Sequence, residues 1–153
     1  MFNVSEINPS KELERGLKMC NWRDISVRGI HIDAQTIQDA CRIIHRTAQK
    51  HKTITYTDLM DGLKQLRHRG INRGTIGSIV GEVSIQVSQL TNPSIYPSAI
   101  VVRRDTNQPG KGFWGLNTGS NPPDIAPQNQ RQNSLQQYQQ NVFNYVNLWN
   151  CDC

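Results

Sequence analysis

The sequence has no apolar run longer than Ala99 to Val102, far short of the roughly 18 to 20 residues a membrane-spanning helix needs. Its opening, Met1 to Gly16, is too polar to hold the apolar stretch of a secretory signal. Hydrophobic side chains make up only 36% of the 153 residues. That is below the usual roughly 45 to 50%, a range that counts Gly, and it fits one domain with a modest core rather than two. Cysteine is scarce as well, with only Cys20, Cys41, Cys151 and Cys153 present. Without a signal segment these read as free thiols in a reducing compartment. The expectation is a cytoplasmic protein without disulfides and with Cys41 in the core.

Chemistry-bearing motifs are missing too. There is no Gly-rich loop ending in Gly-Lys-Ser or Gly-Lys-Thr to cradle a phosphate, no carboxylate cluster for magnesium and no Ser/His/Asp grouping. Cys151 and Cys153 form a lone Cys-x-Cys without the paired Cys or His spacing of structural zinc, so neither metal nor cofactor is expected. His45-Arg46-Thr47 and His51-Lys52-Thr53 each match the His-x-Thr of two-histidine phosphoesterases. That chemistry needs the motifs on separate strands facing each other, whereas here they lie on one helix and its end. The sequence yields no catalytic residue.

What is present is positive charge, unevenly placed. The chain carries a net +5, but from Cys41 to Lys111 eleven Lys and Arg stand against four acids, whereas Asn117 onward holds one Arg and two Asp. The positive potential belongs to the middle of the chain, as on a polyanion-binding face. A solvated basic surface without a ligand has the same composition.

Residues 1–32 mix a short amphipathic stretch (Leu13, Leu17) with Asn, Pro and Gly, and read as an N-terminal arm packed through Trp22. Asp33 suits an N-cap, Ile32 and Ile37 a hydrophobic staple, and Ile37, Cys41, Ile44 and Ala48 recur at helical spacing, giving a helix over 33–50. A short strand at 53–55 precedes a helix over 56–67, opened by the capping-box spacing of Thr55 and Asp58. Gly70 in the basic turn Arg67-His68-Arg69-Gly70 reads as its stop and Asn72 as the next N-cap.

From Arg73, the residues Ile76, Ile79, Val80, Val83, Val87 and Leu90 share a helical face. A strand is the rival reading, because Val83, Ile85 and Val87 alternate with polar residues and Gly74, Gly77 and Gly81 weaken a helix. After Asn92-Pro93, residues 98–104 read as a strand, 105–112 as a turn, and Phe113-Trp114 as a returning strand with one ring inward and the other exposed. The expected fold is α+β: a winged helix-turn-helix over 33–116, with its third helix suited to the major groove and a β-hairpin wing suited to the backbone. Twelve of the 25 residues from Asn117 to Asn141 are Asn or Gln. This predicts a loop over 117–134, followed by a C-terminal helix over 135–153 that docks through Tyr138, Val142, Tyr145 and Trp149.

The stretch Thr53-Ile54-Thr55-Tyr56-Thr57-Asp58-Leu59 resembles the segment that opens the DNA-binding domain of alkylguanine-DNA alkyltransferases and alkyltransferase-like proteins. Arg73 to Gly81 is similar to their recognition-helix segment, Asn92-Pro93 to their Asn-Pro, and Tyr96-Pro97-Ser98-Ala99-Ile100-Val101-Val102 to their active-site strand. Ser98 stands where that family has its nucleophilic Cys, and Ala99 where it has the activating His. The resemblance therefore implies a DNA-binding relative without transferase activity, since alkyl transfer needs a thiolate made by a neighbouring base. The run from Val101 to Phe113, with its Pro109-Gly110-Lys111-Gly112-Phe113 turn, also resembles small bacterial proteins that carry no assigned activity.

The candidate DNA-binding residues are Tyr56, Arg67, Arg69, Asn72, Arg73, Thr75 and Ser78 around the third helix, with Arg103, Arg104 and Lys111 on the wing. Arg and Asn at a helix start are placed to meet base edges and phosphates, and wing cations to meet phosphates. Tyr56 serves equally as a packing residue, and edge-strand charges also discourage aggregation. The leading expectation is a non-catalytic protein whose partner is duplex DNA. Its rivals are an adaptor or inhibitor that binds protein through the aromatic C-terminal helix, and an enzyme with a site near Ser98 or the Pro109-Gly110 turn.

Overall fold

A computed structural model describes residues 21–116 and 131–152. Among them the chain is a mixed α+β domain. A hairpin of β1 (Ile25–Val27) and β2 (Ile30–Ile32) leads to helix α1 (Ala34–Gln49), strand β3 (Ile54–Thr55) and helices α2 (Tyr56–Gln65) and α3 (Ile76–Leu90). A 3-10 turn at Pro97–Ile100 then runs into β4 (Val101–Val102), followed by the one-turn helix α4 (Lys111–Trp114), helix α5 (Arg131–Asn144) and a 3-10 turn at Val146–Leu148. The amphipathic stretch at Leu13 and Leu17, Cys20, most of the loop expected over 117–134, and Cys153 lie outside the described residues.

Local chemistry accounts for the helix ends. Asp33 has an extended backbone and its carboxylate accepts the Thr36 N–H at 2.8 Å and the Thr36 hydroxyl at 2.7 Å. These bonds, the hydroxyl's foremost, hold the Asp33 carboxyl below the usual carboxylate range. Ile32 and Ile37, the expected staple, are both fully buried. Thr55 caps α2 by accepting the Asp58 N–H at 3.1 Å. Each of these two helices ends on a left-handed residue, His51 (φ 53) and Arg67 (φ 65). The next N–H in each case reaches back to the last turn, Lys52 to Thr47 O at 3.3 Å and His68 to Leu63 O at 3.2 Å.

Arg67, not Gly70, therefore stops α2. Gly70 (φ +77) has another task, since a Cβ there would lie 3.0 Å from both Ile30 Cγ2 and Ile32 Cδ1. A side chain here would strain the left-handed backbone and crowd both isoleucines, so glycine suits the point where the β1–β2 hairpin closes against this turn. The third segment is a helix over Ile76–Leu90, so the strand alternative for Val83 to Val87 is overturned. It begins later than expected, with Thr75 and not Asn72 at the N-cap position, and of the expected face Ile76, Ile79, Val80, Val83 and Val87 are buried whereas Leu90 is exposed. Tertiary burial of that stripe outweighs the cost of its glycines.

The expected wing does not form. Ser98 lies in the 3-10 turn, β4 pairs in parallel with β3 (Ile54 with Val101, Thr55 with Val102), and Phe113-Trp114 belong to α4. The run Ile100-Val101-Val102 is apolar without alternation, which suits a strand buried on both faces rather than a half-exposed wing, and all three residues are buried. Phe113 and Trp114 are both buried, against the expectation that one would be exposed. In a helical turn both rings can face the aromatic cluster with Tyr96 and Tyr138.

The C-terminal segment docks as expected but is not one helix over 135–153. Helix α5 begins at Arg131, so residues 131–134 are helix and not loop, and it ends at Asn144. Tyr145 faces outward, and Trp149 reaches the core beyond the second 3-10 turn. There it meets the His45 ring edge-on at 4.5 Å. Trp22 anchors the start of the described chain as expected, with its indole N–H donating to Cys151 O at 3.1 Å. Cys41 is in the core, yet it is not a free thiol, because it forms a disulfide with Cys151. Disulfides persist in oxidising surroundings, so the thiol argument for a reducing compartment does not hold for this pair. Among the described residues no helix is long and apolar enough to cross a membrane.

Val80→Asp, which buries an unpaired charge in the α3 face, is expected to cost about 4 kcal/mol. A thermal unfolding midpoint equal to that of the wild type would show that this face is not core. Breaking the Cys41–Cys151 bond by reduction or by Cys151→Ser should remove about 2 to 4 kcal/mol, because the bond closes a loop spanning most of the chain. The midpoint then falls by on the order of 10 °C. Identical melts with and without reductant would show that the pair is not bonded.

Candidate nucleic-acid interface

A cleft of about 1160 Å³ opens where four parts of the chain meet: the hairpin from Ile25 to Arg28, the start of α2, the N-terminal half of α3, and the loop from Arg103 to Gly112. Its floor is apolar, with Met60, Ile76, Val80 and Phe113 among the lining residues, and Ser98 is reached from within it. Six of the ten sequence candidates line it: Tyr56, Arg73, Ser78, Arg103, Arg104 and Lys111.

The parallel pairing explains the meeting. Tyr56 follows directly on β3 and Arg103 directly on β4, so both leave the same edge of the pair. The Tyr56 hydroxyl oxygen accepts the Gly110 N–H at 2.9 Å, which fixes the far end of the loop to α2. Burial pushes the Tyr56 phenol above its usual range, opposed by that hydrogen bond and by Arg103. It is thus a neutral phenol at neutral pH. The loop closes on itself, with Arg103 N–H donating to Gln108 O and Asn107 N–H to Arg103 O, both at 2.8 Å.

The charges at the cleft are unequal. Five cationic side chains line it (Arg28, Arg73, Arg103, Arg104, Lys111) against two carboxylates, Glu82 and Asp105. Asp105 is held by Arg103 through two hydrogen bonds, at 2.9 and 3.2 Å. The Glu82 carboxylate is largely buried and accepts from Arg23 Nε at 3.2 Å and Gln86 Nε2 at 2.9 Å. Arg28, Arg73, Arg104 and Lys111 form no ion pair among the described residues, and all four are exposed.

Four candidates fall elsewhere. Arg67 and Arg69 are exposed but lie outside the cleft lining, Arg67 being committed to the left-handed end of α2. Asn72 caps the turn before α3, its side-chain oxygen accepting Gly74 N–H at 2.7 Å and Thr75 N–H at 3.1 Å. Thr75 is buried, and its hydroxyl donates to Gly70 O and accepts the Asn72 N–H. Its one hydroxyl proton is spent on the backbone, so it has no donor left for a phosphate.

Arg28 is the residue that sequence reasoning missed. The signal was there, in the alternation Ile25-Ser26-Val27 and Ile30-His31-Ile32 about the two residues Arg28 and Gly29, whose φ values of 52 and 81 are those of a two-residue hairpin turn.

Ser98 is poorly equipped for chemistry. Its hydroxyl oxygen accepts from Ser84 Oγ at 2.6 Å and its backbone N–H donates to the same Ser84 Oγ at 2.8 Å. No imidazole or carboxylate hydrogen-bonds to either serine among the described residues, and Ala99 beside it is fully buried. Of the His-x-Thr histidines, His45 Nε2 forms a hydrogen bond of 2.9 Å with Val146 O, and His51 stacks on Phe143. Among the described residues no three His, Cys, Asp or Glu side chains form a metal-holding group. No protein-family model, no curated protein and no solved structure matches this chain.

A hydroxyl without a general base is unreactive towards an alkyl group at neutral pH. The intact mass of the protein is therefore expected to stay unchanged after incubation with duplex DNA bearing alkylated guanine. A mass increase equal to the alkyl group would overturn this account of Ser98.

Proposed function

We propose that this chain is a non-catalytic DNA-binding protein that holds duplex DNA against the basic cleft. The observation that carries the reading is the convergence of Arg73, Arg104 and Lys111, far apart in sequence, on one cleft where none has an acidic partner among the described residues. Exposed cations without carboxylates favour a polyanion, and each phosphate neutralised releases counterions. Helices α2 and α3 with the turn between them take the part of a helix-turn-helix, Arg73 and Ser78 facing the groove. The loop from Arg103 to Gly112 takes the place that a wing would occupy. Among the described residues no imidazole or carboxylate hydrogen-bonds to Ser98, which fits binding without chemistry. An adaptor role through the C-terminal aromatics is less well supported, because Trp149 is buried and Tyr138 packs against the core, leaving Tyr145 and Leu148 outward.

Binding to random-sequence duplex DNA should weaken steeply with salt, log K falling against log salt with a slope of about −0.9 for each phosphate contact. Replacing Arg104 and Lys111 together by Ala should flatten the slope by up to about two units. Arg67→Ala with Arg69→Ala should leave it unchanged, since neither residue lines the cleft. Arg73→Ala, at the entry to α3, should cost about 1 to 3 kcal/mol on a preferred sequence if it meets a base edge. Absence of binding at about 50 mM salt would overturn the DNA reading and favour the adaptor.

A further inference from the structure

The β1–β2 hairpin is the wall of the cleft that contributes none of the ten residues expected to bind DNA. It is held in place by three independent contacts. Ile30 and Ile32 close on Gly70, where a Cβ would stand 3.0 Å from each. Arg23 Nε bonds Glu82 of α3 at 3.2 Å. Asp24 accepts the Ala34 N–H at the start of α1 at 2.8 Å. The turn so positioned carries Arg28, whose Nη1 lies 3.8 Å from where a Cβ on Gly74 would sit, next in the chain to Arg73.

Two features set Arg28 apart from an ordinary surface cation. Its φ of 52 belongs to a turn position that usually takes Asn, Asp or Gly, so an Arg there sacrifices backbone preference and gains a guanidinium at the mouth of the cleft. It also forms no ion pair among the described residues, while Asp24 bonds Ala34 N–H and His31, and Glu82 and Asp105 are held by Arg23 and Arg103. The cleft lining carries five cations against two carboxylates, and the surplus of like charge is relieved when an anion joins it.

We propose that the hairpin is a second arm of the interface, with Arg28 taking a backbone phosphate of the duplex beside those met by Arg104 and Lys111. This rests on the DNA reading above. Arg28 then acts by charge and reach rather than by reading a base, so its contribution is independent of sequence.

The test uses the full chain and random-sequence duplex in a salt titration from about 50 to 200 mM. Arg28→Asn, which removes the charge but tolerates the left-handed backbone, should lower the salt slope by about 0.9 and weaken binding several-fold at low salt. Arg28→Lys should keep the slope near the wild-type value. Lys50→Ala, an exposed cation outside the cleft, serves as the control and should change nothing. Thermal melts of each variant confirm that the fold is retained. If wild type binds with a steep slope and Arg28→Asn matches it, or if Lys50→Ala loses as much, the hairpin arm is wrong while the DNA reading stands. If wild type does not bind, both fall.

Discussion

The cleft depends on one pairing, the two-residue parallel contact between β3 and β4. Parallel strands leave a sheet at the same edge. The residues that follow them, Tyr56 and Arg103, are therefore brought side by side although 46 positions separate them. An antiparallel wing would have sent the Arg103-Arg104 pair along a ribbon away from α2. The fully buried Val101 and Val102 supply the energy, since each buried aliphatic side chain contributes about 1.5 to 3 kcal/mol. The charges at the strand end are carried outward because their neighbours are carried inward. Tyr56 then completes the arrangement by bonding Gly110, so that the basic loop is tethered at its start by the sheet and at its end by a phenol.

A second layer of support comes from the far end of the chain. The backbone oxygen of Cys151 accepts from both Trp22 and Gln38, at 3.1 and 2.7 Å, its sulfur is bonded to Cys41, and the neighbouring Asp152 pairs with Arg42. One short segment thus ties the described N-terminal start, α1 and the C-terminus together. Asp39 belongs to the same helix face. Its carboxyl is raised by burial, but hydrogen bonds from His68, Arg42 and Gln35 outweigh that effect and hold it below the usual range. Its stabilising contribution is present above the unfolded carboxylate range and fades as pH drops through the lowered folded value.

Capping and helical periodicity were legible in the residues. Asp33 with its staple, Thr55 with Asp58, and the apolar stripe of α3 each rest on contacts within a few positions, and the structure places them accordingly. Six of ten candidate site residues also meet in the cleft, because charge asymmetry survives errors in strand pairing. What was not legible depended on distant partners. Nothing near Val101 reveals that its neighbour is Ile54 and not a returning strand. Nothing near Cys41 reveals Cys151, and Thr75 looks like any helix-start hydroxyl until Gly70 O and the Asn72 amide are seen around it. The Arg28-Gly29 hairpin is an intermediate case, readable from alternation but masked by a turn pair less familiar than Asn-Gly.

The Cys41–Cys151 bond also closes the chain from Cys41 to Cys151 into a covalent ring. Every wall of the cleft but one, from Tyr56 through Arg73 to Lys111, is carried on that ring, and a single break in the backbone anywhere within it leaves both pieces joined. The β1–β2 hairpin hangs outside the ring as a tail, fastened by a glycine contact, an ion pair and an indole hydrogen bond. The hairpin is thus joined to the ring by the backbone at its C-terminal end alone, and its seat against α2 and α3 rests on non-covalent contacts.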